Sequence, residues 1–300
     1  MELRTLRYFL TVAREGSISA AAEALHLTQP TLSRQLMELE SELGAPLFIR
    51  GRRNHGLELT EQGLLLRQRA SELLELAEKT TRELQQSPET VSGDLYIGGG
   101  ESESMRTVVW ALKSLQQRYP RIRSHLFSGN AEAVMERLDR GLLDFGVVID
   151  PAELRKYHSL RLPIPDRFGL LLRRDHPLAQ QTGIYAEDLN DLPLLISQQS
   201  RVQNFVSDWC RIPPERLRIM GTYTLIYNAS LMVEEGMGCA LCLERLVNTT
   251  GDSVLCFRPF EPQLTTNLNV IWKQNSTLSV PAQIFLRELE AACAAEKKVL

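Results

Sequence analysis

The chain has 300 residues, a net charge of −3, 43% hydrophobic and 24% charged residues. That is the make-up of a folded protein of two or three compact units, and it excludes a disordered or fibrous chain. No apolar run reaches the roughly 20 residues of a membrane helix, and Arg4, Arg7, Arg14 and Glu15 interrupt the N-terminal apolar residues where a secretory leader needs an unbroken core, so the chain is expected in the cytoplasm with no membrane partner.

Leu3, Leu6, Phe9, Leu10 and Ala13 fall on one face of a helix over 3–15, which Gly16 ends. Ser17 can cap a second helix reaching about Leu25. After a short turn at His26-Leu27, Thr28 has the character of an N-cap, with Pro30 in the first turn, where its missing N–H costs nothing. The third helix then runs through Leu32, Leu36, Leu39 and Leu43 to Gly44. LFIR (47–50) and LELT (57–60) read as short strands around GRRNHG, a hairpin with glycine at both ends. Thr60 caps a long helix over about 61–86, and Ser87-Pro88 breaks it.

From Asp94 the pattern changes. Strands are expected at 94–98, 122–127, 144–149, 168–173, 192–196, 217–223, 239–243, 254–258 and 266–272, with helices at 103–118, 131–140, 200–210, 228–236 and 281–296. Such alternation implies a sheet with helices on both faces, so the fold class is α/β overall.

Two short helices around a tight turn (about 18–37), followed by a basic hairpin, form a winged helix-turn-helix. The third helix of such a unit lies in the major groove with its first residues at base edges. Those residues are Thr28, Gln29, Pro30, Thr31, Ser33 and Arg34. Gln suits adenine and Arg suits guanine through paired hydrogen bonds, while Thr and Ser hydroxyls suit phosphates. Arg34, Arg50, Arg52 and Arg53 stand where no acid intervenes, and Glu38, Glu40 and Glu42 are expected at the far end of the helix. This local basicity matters because the global charge offers DNA nothing.

In the long helix, Gly63, Ala70, Ala77 and Leu84 recur every seven residues, with Leu66, Leu73 and Thr80 between them. This is an a/d seam, in which small residues allow close approach of a second copy. Ala70, Leu73 and Ala77 are the expected dimer contacts. The alternative is that the stripe packs on the chain's own domains.

The stretch SISAAAEALHLTQPTLSRQLMELESELGAPLFIR, followed by LELTEQG, resembles the signature of the LysR-type transcription regulators. GLLDFGVV (141–148), RRDHPLA (173–179) and MVEEGMGCAL (232–241) are weaker likenesses. The resemblance implies a winged helix-turn-helix DNA-binding domain over 1–60, a linker dimerisation helix and hinge over 61–92, and an effector-binding domain over 93–300. The last would have a type-2 periplasmic-binding-protein-like fold, with subdomain I at 93–164 and 267–300 and subdomain II at 165–266. It implies that Gln29, Pro30, Ser33 and Arg34 contact promoter DNA, that Arg53 or Arg50 enters the minor groove, and that the linker helices pair antiparallel. It further implies a dimer, assembling to a tetramer, that answers to a small-molecule effector and contacts RNA polymerase.

Ligands of open α/β sheets bind beyond the carboxyl ends of strands. Reading those ends gives Ser102, Ser104, Ser128, Gln199, Ser200, Arg201 and Asn228 as effector contacts. Glu101 and Glu103 stand at the start of a helix, where a carboxylate ligand would feel their repulsion unless Arg106 or Arg201 offsets it. The effector is therefore expected to be neutral or to carry an amine, unless both glutamates point to solvent.

Cys239 and Cys242 form a C-x-x-C, but they lie in an apolar run and would face opposite sides of a strand, as core thiols. Five cysteines scattered over 210–293 make no disulfide framework. His125 and His176 have no carboxylate or nucleophile at recognisable spacing, and GGG (98–100) lacks the lysine of a phosphate loop. The reading is a regulator without cofactor, metal or catalytic residues. Its rival is an enzyme or a transport-type binding protein whose cleft does the main work.

Overall fold

The computed structural model describes residues 1–49, 57–84, 91–149, 156–199, 206–274 and 277–296. The chain divides into two compact units, Met1–Gln85 and Gln86–Leu300.

In the first unit, α1 (Leu3–Glu15), α2 (Ile18–Ala24) and α3 (Gln29–Leu43) precede a two-residue antiparallel ladder of β1 (Phe48–Ile49) with β2 (Glu58–Leu59), and α4 (Glu61–Leu84) follows. Gly16 ends α1 at φ 63°, a left-handed conformation that glycine adopts without steric cost. Ser17 then caps α2 by accepting from the Ala20 amide. Leu6, Phe9, Val12, Leu32, Leu36, Leu39 and Leu47 close a small core with Ala70 and Leu74 of α4. Each such leucine contributes roughly 1.5–3 kcal/mol by leaving water. Glu40, expected at the idle end of α3, has a structural task. Its Oε1 accepts from the amides of Leu47 (2.7 Å) and Phe48 (3.3 Å), fixing the start of the wing. Thr60 caps α4 as its place suggests: its Oγ1 accepts from the Gly63 amide and donates to the Pro46 carbonyl.

The second unit contains two sheets. The first has the order β4-β3-β5-β13-β6, from β3 (Gly93–Gly99), β4 (Ile122–Ser128), β5 (Phe145–Ile149), β6 (Tyr157–Arg161) and β13 (Leu268–Lys273). β3 runs parallel to β4 and β5, and β13 is antiparallel to β5 and β6. One face packs on α5 (Met105–Arg118) and on the last helix, α8 (Val280–Glu296), through Val108, Leu115, Phe285 and Leu289. The other face meets α6 (Ala131–Asp139) through Val134 and Leu138.

The second sheet has the order β11-β7-β10-β8-β9, from β7 (Asp166–Arg173), β8 (Leu194–Ser197), β9 (Ile219–Tyr223), β10 (Cys239–Leu243) and β11 (Leu255–Pro259). A short β12 (Thr265–Thr266) pairs with β7. Side chains alternate as strand geometry requires: Phe168, Leu170, Cys239 and Leu241 enter one core, and Leu171, Ala240 and Cys242 the other. That second core is covered by α7 (Ile226–Glu234). The two cysteines of the C-x-x-C thus point to opposite faces, both buried and free.

β6 is absent from the sequence reading. It pairs only with β13 at the edge of its sheet, and Tyr157 alone among its residues is buried, so no apolar alternation marks it.

Candidate functional site

The first candidate site is the start of α3. Its backing is apolar: Leu32, Leu36 and Leu39 are 0, 3 and 1% exposed. Helical periodicity therefore turns Thr28, Gln29, Thr31 and Arg34 outward, with Ser33 half-buried beside them and Pro30 in the first turn. Thr28 has the extended backbone of an N-cap, but its hydroxyl meets the Thr31 hydroxyl at 2.8 Å instead of a backbone amide. Arg34 is engaged: its Nε donates to Glu38 Oε1 at 3.0 Å, and Gln35 donates to the other oxygen of Glu38 at 2.9 Å. Glu38 is thus no bystander at the far end of the helix, but an exposed i,i+4 partner of the chief base-reading candidate. The wing arginines Arg50, Arg52 and Arg53 lie outside the described residues.

Helix α4 corrects the expected dimer seam. Gly63 sits against β1, where an added Cβ would fall 2.1 Å from the Leu47 carbonyl oxygen. Ala70 is fully buried in the core of its own unit, and Ala77 is half-buried. Gly63 and Ala70 therefore serve close packing within the chain, and Ala70 is not open to a second copy. Leu73 is 41% exposed, together with Leu65 and Leu76.

The second candidate site is a cavity of about 60 Å³ in the second unit. It lies between the two sheets, beyond the carboxyl ends of β3, β5, β8 and β9, as expected for a ligand site in this architecture. Its polar wall includes Glu101, Ser102, Ser197, Gln199, Tyr223 and Thr224. Apolar groups such as Val147, Ile149, Phe168 and Leu241 supply most of the rest.

Of the expected effector contacts, Ser102 and Gln199 line this cavity. Ser104 does not. It is wholly buried, and its single hydroxyl proton is shared between the Ile164 carbonyl (2.7 Å) and Asp166 Oδ2 (2.9 Å). Ser128 and Asn228 are exposed and outside the lining, so those two expectations are also corrected. At the turn after β4 the side chain that acts is Asn130, which caps α6 by accepting from the Ala133 amide. Ser200 and Arg201 lie outside the described residues.

Three residues around the cavity carry more than the sequence suggests. Glu101 Oε2 accepts from the backbone amide of Ile226 at 2.5 Å, across a separation of 125 residues, and so sits on the first turn of α7. Asp166 is 4% exposed and accepts from Ser102 Oγ (2.6 Å) and Ser104 Oγ. Burial pushes its carboxyl up from the usual range, against the lowering effect of those hydrogen bonds. Tyr223 donates its hydroxyl to the Leu241 carbonyl, and burial pushes it well up. Burial likewise raises the thiols of Cys239, to about 11, and Cys242, to about 12, with the charge of Glu101 adding to the latter. Such thiols are protonated at neutral pH and poor nucleophiles. His125 does have a carboxylate partner, Asp94 at 2.9 Å, which also binds Arg123. Asp94 stands on the neighbouring strand, 31 residues away, where spacing along the chain gives no sign of it.

A helical reading face and a cleft between two α/β lobes define a regulator with a ligand-sensing domain. The chain belongs to the LysR family of bacterial transcription regulators: residues 3–64 match the family model "Bacterial regulatory helix-turn-helix protein, lysR family", and residues 88–294 match "LysR substrate binding domain". It is a DNA-binding transcription regulator whose C-terminal domain binds an effector. Among similar proteins, the regulator YvbU of Bacillus subtilis is 27% identical over 99% of this chain and 100% of its own length. BudR of Raoultella terrigena is 29% identical over 91% of this chain and 95% of its own. Among solved structures, full-length CbnR complexed with its target DNA superimposes with a TM-score of 0.77 at 19% identity, covering 97% of this chain and 100% of that one. Full-length BenM does so with 0.56 at 25% identity, covering 99% of this chain and 98% of that one.

Proposed function

We propose that α3 reads promoter DNA through Gln29, Ser33 and Arg34, with Thr28 and Thr31 on phosphates and Pro30 shaping the first turn, and that the cavity between the two sheets is where the effector binds. The observation that carries the DNA reading is the division of α3 into an apolar face buried in the core and a polar face open to solvent. CbnR, which shares the fold, was solved on its target DNA, and the same docking brings the start of α3 to base edges. Arg53 or Arg50 is the candidate for the minor groove by family resemblance.

Ser102 and Gln199 are the effector contacts that geometry supports. The effector works by binding one arrangement of the protein better than another, which is what links the cavity to DNA affinity. Self-association uses the outward leucines of α4, Leu65, Leu73 and Leu76, and by family resemblance proceeds to a tetramer that contacts RNA polymerase. The protein acts where the DNA is, in the cytoplasm of a bacterial cell. The reading is of a regulator and not an enzyme, because Glu101, Ser102 and Tyr223 at the cavity are occupied in holding backbone and a neighbouring side chain, and the thiol of Cys242 is held protonated.

The test is a mobility-shift titration with the region upstream of the protein's own gene. Binding at about 10⁻⁸–10⁻¹¹ M in physiological salt is expected, at least about 10³-fold tighter than to random DNA. Equal affinity for both DNAs contradicts the reading.

A further inference from the structure

The cavity contains one formal charge among its described lining residues, and that charge is negative. Glu101 leaves the end of β3 and reaches the first amide of α7 on the opposite lobe, 2.5 Å away. An amide at a helix start, with the positive end of the helix dipole behind it, is where an anionic ligand group binds in a cleft of this kind. Here a side chain already holds it. Of the two offsetting cations considered from sequence, Arg106 pairs with Glu103 at 2.7 Å and is not part of the lining, and Arg201 lies outside the described residues. Tyr223, which also faces the cavity, donates its hydroxyl to the Leu241 carbonyl.

The space is about 60 Å³, room for a few waters at roughly 10–15 Å³ each, so small molecules are the natural probes of it.

We propose that Glu101 sets the ligand class of the cavity: it stands in for an anionic ligand at the start of α7, and the space left takes a small neutral or ammonium-bearing molecule. This rests on the cavity being the effector site. A bound carboxylate would face Glu101 and would find its amide taken. An ammonium or amide N–H instead gains an acceptor, and Gln199 and Ser197 stand on the same wall. Glu101 also joins the two lobes, so a ligand that competes for its oxygens changes what holds the lobes together.

The test uses the full chain, calorimetry and three probes of similar size: ethylammonium, acetamide and acetate. Ligands this small bind no tighter than tens of micromolar or so. In the unaltered protein, acetamide or ethylammonium should bind at least tenfold more tightly than acetate. In Glu101→Gln, whose amide oxygen can still accept from Ile226, acetate should come within about threefold of acetamide, and ethylammonium should weaken about tenfold or more. Acetate binding the unaltered protein as tightly as acetamide, an unchanged order in Glu101→Gln, or no binding of any probe overturns the proposal. If Glu101→Gln fails to fold, the order in the unaltered protein decides alone. Repeating the DNA titration with each bound probe separates the two readings: the expected order with no change in DNA affinity sinks the effector role of the cavity and leaves the role of Glu101 standing.

Discussion

The two units hold their polar residues in opposite ways. Along α3 the polar side chains point outward, and the buried leucines of the same helix set their direction. Around the cavity they turn inward, and their partners are far along the chain: Ser104 with Asp166, Glu101 with Ile226. A surface that reads DNA must let its donors and acceptors turn to bases, so exposed pairs such as Arg34 with Glu38 have to be weak enough to give way. A cleft that opens and closes on a small ligand must satisfy its own polar groups in the ligand's absence, since an unpaired buried group costs about 1–3 kcal/mol.

That contrast predicts the largest effect for Asp166→Ala. The change removes a carboxyl that meets two serine hydroxyls in a buried place, and at about pH 4 or below should destabilise the second unit by about 1–3 kcal/mol, read as a loss in denaturant midpoint. A loss below about 0.5 kcal/mol, the level of an ordinary surface change, would break the comparison. The pH dependence has a definite sign. The folded carboxyl holds its proton more tightly than the free one, so its contribution to stability is present in acid and declines as pH rises from about 4 through the raised folded value. Asp166→Asn should flatten that part of the stability profile.

How far each site could be read from sequence follows from the same contrast. The α3 face is written in one local pattern, with leucines at 32, 36 and 39 and polar residues between them, so the helix and its outward polar face follow from helical spacing, while the Thr28 hydroxyl, which turns to Thr31, does not. The cavity is built by register between strands far apart in the chain. The sequence reading reached loops that border the cavity, and Ser102 and Gln199 line it, but loop membership does not say which way a side chain turns. Ser104 faces the core because Asp166 is there to receive it, and Asp166 is 62 residues away. The stripe in α4 misled for a related reason. A heptad of small residues looks the same whether the surface it meets belongs to a partner or to the chain itself, and the Leu47 carbonyl that demands Gly63 has no sequence mark.

A pair of variants separates those two faces of α4. Gly63→Ala should destabilise the first unit by about 1–3 kcal/mol, since the new methyl meets backbone that cannot give way, with the subunit dissociation constant unchanged once the protein is folded. Leu73→Asp should do the reverse, keeping the melting temperature of the first unit and weakening self-association about tenfold or more by placing a charge where a partner removes water. Sedimentation reads the second, and an unchanged oligomer would exclude the exposed leucine face as the seam.

The smallest effect is expected at Glu38. Its exposed pair with Arg34 is worth about 0.3–0.5 kcal/mol and must loosen when Arg34 turns to DNA. Glu38→Gln should therefore tighten DNA binding about twofold, with a larger gain at low salt. Weaker binding would mean that Glu38 holds Arg34 in its reading position.

The central claim is that the start of α3 reads sequence and does not merely adhere to DNA. Arg34→Ala tests it most directly, with affinities measured in parallel at fixed salt on the upstream site and on random DNA of equal length. The account predicts a loss of about 1–3 kcal/mol on the specific site, about 5- to 150-fold, and a much smaller loss on random DNA. Equal losses on the two DNAs would contradict it and leave Arg34 a phosphate contact.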